Sequence, residues 1–201
     1  PTDYYKNTHY NQGLEFGNDS IYDQTKHFRV KNTLGVALLE GFNKWVKAGL
    51  KGFITYDHCI YRMPSLDNGI TYWDRWHEDN ISLGGQLSKT QGKTLHFDVT
   101  AETWIGGADA GDYTIDFSTD LNFPLFGDTV QLAASAFYYH CNPVFFQAKY
   151  HSKHFWWDAD DLDRETRSRI EGLFSYQKTD TKLRVAIENI KNYTYFGMSY
   201  D

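Results

Sequence analysis

From His27 onward the chain alternates apolar and polar residues with period two through one run after another, and few features restrict a fold more tightly. The clearest case runs from Leu95 to Phe123. Leu95, Phe97, Val99, Ala101 and Ile105 share one parity, while His96, Asp98, Thr100 and Glu102 share the other. After a short Gly/Ala/Asp break, Tyr113, Ile115, Phe117, Leu121 and Phe123 alternate with Asp112, Thr114, Asp116, Ser118 and Asp120. A strand turns successive side chains to opposite faces, so each run has one greasy face and one polar face.

The same period recurs along the chain. Phe28, Val30, Leu34, Val36 and Leu38 oppose Arg29, Lys31, Thr33 and Ala37, and a second run sets Val46, Ala48, Leu50, Gly52, Ile54 and Tyr56 against Lys47, Gly49, Lys51 and Thr55. Further strands are expected over Ile81–Ser88, Val130–Tyr138, Val144–Tyr150, Arg169–Tyr176 and Leu183–Glu188, with a last one beginning in "NYTYFGMSY". The stretch Asp57–Asn80, with Pro64, Asn68-Gly69 and two tryptophans, reads as a long connection. No segment carries a 3.6-residue period. The expected fold is all-β: an antiparallel up-and-down meander of about ten strands, closed as a transmembrane β-barrel or forming part of one. Residues 1–26 read as an N-terminal loop or extension, and residues 27–201 as a single barrel domain.

Period two alone does not say which face is wet, because a soluble sandwich alternates as well. Strand length favours a membrane: several runs reach about a dozen residues, against about five or six in globular sheets and nine to eleven for a bilayer crossing. Composition points the same way. Aromatics reach 17% of the 201 residues, and Tyr56, Tyr138, Trp156 and Tyr176 fall near strand ends, as an interfacial girdle would require. No run of about eighteen apolar residues exists, which excludes a helical span but not a strand-built one. The net charge of -6 argues against nucleic acid as a partner.

On the barrel reading the polar parity lines a wet lumen. Its charged members are Lys47, Lys51, His96, Asp98, Glu102, Asp116, Lys149, Arg169, Glu171, Arg184 and Glu188, with cations on some strands and carboxylates on others. Trp73, Trp76, Trp156 and Trp157 are candidates for interfacial anchors or for rings that stack on a glycan. A soluble β-sandwich or β-barrel that binds carbohydrate is therefore the rival from another class.

"FRVKNTLGVALLEGFNKWVKAGLKGFITYDHCIYRMP" (Phe28–Pro64) and "LRVAIENIKNYTYFG" (Leu183–Gly197) resemble strands of the putative porin family of Bacteroidetes outer-membrane β-barrel proteins. The resemblance covers the chain from about His27 to its end. It implies a bacterial outer-membrane barrel in contact with lipid, with a water-filled interior that passes small hydrophilic solutes. Members of that family are longer, so a fragment of a longer member is the expectation. A barrel segment of a TonB-dependent receptor is the alternative within membrane proteins, and association of copies is left open.

Motifs for other chemistry fail on their spacing. "WDADDLD" (Trp157–Asp163) is acidic enough for a calcium loop but puts Leu162 and Asp163 where a ligand and a glycine are needed. His77, Glu78 and Asp79 are adjacent and point apart on an extended chain, so no metal is expected. Asp98, Glu102 and Asp116 share a face, yet paired-carboxylate catalysis needs a separation that spacing does not supply. No nucleophile elbow or phosphate loop occurs, and neither an enzyme nor a cofactor is expected. Cys59 and Cys141 read as isolated thiols.

Overall fold

A computed structural model describes residues 24–41, 47–68, 70–125, 127–152, 155–159 and 161–195. Its strands are β1 (Lys26–Leu38), β2 (Gly49–Asp67), β3 (Ile70–Lys89), β4 (Leu95–Gly107), β5 (Tyr113–Leu125), β6 (Asp128–Cys141), β7 (Lys149–His151), β8 (Trp156–Asp158), β9 (Glu165–Tyr176) and β10 (Thr181–Lys191). Eight of them form one sheet in the order β1-β2-β3-β4-β5-β6-β9-β10, and β7 pairs only with β8. The strand pairings β3–β4, β4–β5, β5–β6, β6–β9, β9–β10 and β7–β8 are all antiparallel, so the expected all-β meander is what the chain forms. The large sheet is open, with β1 and β10 at its edges. The N-terminal extension expected over residues 1–26 lies outside the described residues except for Gln24, Thr25 and the first residue of β1.

Two compact units divide the chain. One comprises residues 1–31, 57–79 and 143–163, and the other residues 32–56, 80–142 and 164–201. Strands β1, β2 and β3 contribute residues to both.

Two expectations change. The connection expected over Asp57–Asn80 is instead the far ends of β2 and β3, 19 and 20 residues long, joined through Asn68 and Gly69. Asn68 adopts φ 50°, the left-handed backbone that Asn tolerates at turns. The strand expected over Val144–Tyr150 is replaced by a helical turn, Phe145–Ala148, followed by the three residues of β7. Residues 192–195 carry no strand, and the rest of the expected last strand lies outside the described residues.

On the inner strands of the second unit, such as β4 and β9, the apolar parity includes the more exposed side chains, while the edge strands β1 and β10 are exposed on both parities. Leu34 (73%), Ile170 (68%) and Ile187 (76%) stand open, with Ile105, Ile115, Phe117 and Val185 on the same surface. The buried hydrophobic residues among the described ones are Cys59, Tyr61, Met63 and Val130. The amphipathy is therefore inverted relative to a water-soluble sheet.

Local packing on the inner parity is specific. The Phe53 ring lies where a side chain at Gly84 would stand, its nearest atom 2.1 Å from an ideal Cβ. Gly84→Ala is expected to displace that ring at a cost of about 1 kcal/mol in urea unfolding. In a Phe53→Ala background the same change should cost almost nothing. Equal costs in both backgrounds would disprove the contact.

Candidate functional site: the polar wall of the sheet

Register brings the polar parity of β4 and β5 together. His96 faces Asp120, Asp98 faces Ser118, Thr100 faces Asp116 and Glu102 faces Thr114. The carboxylates are held by neutral donors: Asp98 accepts from Gln86 Nε2 (2.6 Å) and Thr100 Oγ1 (3.1 Å), Asp116 from the Tyr139 hydroxyl (2.6 Å), and Glu102 from Ser82 Oγ. Asp120 contacts His96 Nδ1 (2.9 Å) and accepts from Asn122 Nδ2 (2.8 Å). Among the described residues no Lys or Arg forms an ion pair with Asp98, Glu102 or Asp116.

The arginines sit across the intervening β6, on β9 and β10. Arg169 lies 2.5 Å from Glu171 and 3.6 Å from Glu188, Arg184 is 3.2 Å from Glu171, and Arg167 is 2.5 Å from Glu188. Between the two charged bands β6 presents Ala133, Ser135 and Phe137, which pair with Leu173, Glu171 and Arg169 of β9. An open pocket of about 360 Å3 lies on this wall, lined by Lys89, His96, Asp98, Ser118, Asp120, Ser135 and Glu171 among others. One face of the sheet thus runs from uncompensated carboxylates to a ladder of arginines and glutamates.

His96, Asp98, Glu102, Asp116, Arg169, Glu171, Arg184 and Glu188 of the sequence-predicted set therefore share this wall. Lys51 is on β2, on the same parity as Phe53, with its ammonium 5.6 Å from that ring. Lys47 precedes β2 and is exposed outside any strand. Lys149 is on β7, outside the large sheet, where its ammonium lies 2.7 Å from Asp158. The predicted set omits Asp120, Tyr139, Arg167, Ser82 and Gln86. Parity marks Asp120 and Arg167 from sequence alone, whereas the neutral donors emerge only from strand order.

Of the six tryptophans, the four candidates Trp73, Trp76, Trp156 and Trp157 belong to the first unit. Trp156 stacks on His151 at 3.9 Å between ring centres, Trp157 stacks on Tyr150 at 4.9 Å and donates Nε1–H to the Gln147 carbonyl, and Trp76 meets His151 edge-on. Trp73 lies under the Arg62 guanidinium. Trp156 and Trp157 thus have one ring face covered by protein, which leaves less for a sugar. His151 is buried between the Pro64 carbonyl (2.9 Å) and the Asp158 carboxylate (3.0 Å). Burial alone would raise the Asp158 carboxyl, but Lys149 and His151 outweigh it and hold the group below its ordinary range. In the turn after β1, Glu40 is also held low, first by the Thr90 backbone N–H and then by that of Gln91.

Cys59 and Cys141 are free thiols. No group of three His, Cys, Asp or Glu is placed to hold a metal among the described residues. Among the described residues no helix is long and apolar enough to cross a membrane, which says nothing about strands.

An antiparallel meander with an apolar outer parity and a hydrogen-bonded polar inner parity has the wall design of outer-membrane β-barrel proteins. The family model described as "Putative porin" matches residues 1–200, and the chain belongs to that family. No curated protein and no solved structure gives a significant match. Membership points to a non-enzymatic channel and to the bacterial outer membrane.

Proposed function

We propose that the chain supplies wall to an outer-membrane channel through which small hydrophilic solutes diffuse passively. The observation that carries this reading is the inverted amphipathy: exposed Ile, Leu and Val on one parity, and half-buried, hydrogen-bonded Asp, Glu, Ser and Thr on the other. Lipid suits the first and water the second. On this reading residues 27–201 belong to the barrel, and β2 and β3 are about twice the length a crossing takes.

The charge bands suggest how solutes are sorted. Exposed ion pairs such as Arg184–Glu171 contribute little stability, so their alignment on one wall is better explained by the potential it creates. Asp98, Glu102 and Asp116 draw their counter-charge from mobile ions, which favours cations along that side.

Reconstitution of the full chain in planar bilayers tests this. Conductance with a cation preference is expected, and Asp98→Asn with Asp116→Asn should lower the cation-to-anion ratio by about five-fold for each charge within contact distance of the ion. A chain that neither conducts nor needs detergent to stay in solution would refute the channel.

A further inference from the structure

Beyond Tyr56 the outward parity of β2 changes character. His58 and Arg62 follow, and the outward parity of β3 carries Trp73, Arg75 and His77. Arg62 lies five residues before Asp67 and Arg75 five residues after Ile70, the residues that flank the two-residue turn. His58 and Asp79 lie nine residues from the same flanking positions and are in contact at 2.7 Å, in keeping with this register. Arg62 and Arg75 are therefore cross-strand neighbours of like charge on one face.

Like charges directly opposite one another destabilise a sheet, and an anion bound between them relieves that cost. Neither guanidinium has a carboxylate partner among the described residues. Asp79, the carboxylate on this face, is engaged by His58. Arg62 lies 5.2 Å from the centre of the Trp73 ring, and Trp is enriched at the headgroup level of a bilayer. Arg75 and His77 are exposed.

We propose that Arg62 and Arg75, with Trp73 beside them, form a docking surface for the phosphate of a membrane lipid headgroup. Two guanidinium forks match phosphate oxygens, and the occupant relieves their mutual repulsion. The inference rests on the membrane-channel reading above.

Native mass spectrometry of the full chain in detergent micelles, titrated with phosphatidylglycerol or phosphatidylcholine, tests it. Retention of phosphatidylglycerol over phosphatidylcholine is expected, about five-fold weaker for Arg62→Gln or Arg75→Gln and about thirty-fold weaker for both together. Arg62→Lys with Arg75→Lys should lose much of the retention although the charge is kept, because an ammonium lacks the fork. Unchanged retention by the double Gln variant would overturn the proposal. So would displacement of the lipid by an equal concentration of inorganic phosphate, which would mark a soluble-anion site. Bilayer conductance is recorded on the same preparations: a silent wild type would remove the channel reading, while arginine-dependent lipid retention would still uphold this one.

Discussion

Replacing Ile170 with arginine is expected to destabilise the chain in lipid vesicles by about 2–4 kcal/mol, the cost of a cation at mid-bilayer on the lipid side of a barrel. Ile170 stands near the middle of β9, 68% exposed, with Ile187 and Ala136 opposite it on the neighbouring strands. In a water-soluble sheet a substitution at so open a position would change stability by no more than about 0.5 kcal/mol. Urea titration in vesicles reads the difference. A neutral outcome there would mean that the apolar parity does not face lipid.

A loss of comparable size is expected at Asp112, for a different reason. Its carboxylate, 3% exposed at the residue level, accepts the Asn142 backbone N–H at 2.8 Å and the Arg164 Nε–H at 2.9 Å. Arg164 also donates to the Ala110 carbonyl at 2.7 Å, so one ion pair ties the β4–β5 turn to the segments that follow β6 and precede β9. Asp112→Ala would leave the Asn142 N–H without its acceptor and the guanidinium without its charge partner. The expected cost is about 3 kcal/mol, with Asp112→Asn losing less because one acceptor survives. Hydrogen exchange should show the β4–β5 turn opening first, and a loss under about 1 kcal/mol would disprove the tether.

The legibility of individual elements followed how locally each was determined. β4 and β5 are readable almost to the residue, since alternation and the Gly107–Gly111 turn are both local features. Val144, Phe146, Ala148 and Tyr150 share one parity as in a strand, yet Phe145–Ala148 is helical. Phe145 stacks on Tyr61 at 3.8 Å, a residue distant in sequence, and strand propensity yields to such packing. Asp57–Asn80 misleads in the opposite direction, because Pro64 and the tryptophans suggest a loop. In the hairpin Pro64 is buried and its carbonyl accepts from His151, a contact that no pattern within the segment could reveal.

Within the candidate wall, sequence placed His96, Asp98, Glu102 and Asp116 on one face, because side-chain direction alternates by covalent geometry within each strand. It left open which face meets water, since a sandwich and a barrel share the same period. The tertiary structure settled the exposure of that pattern, with Ile170 and Ile187 open and the carboxylates shielded by Gln86, Ser82 and Tyr139. It also set β6 between the acidic and the arginine-bearing strands. Strand order and burial depend on pairings between residues far apart in the chain, and no local pattern encodes them.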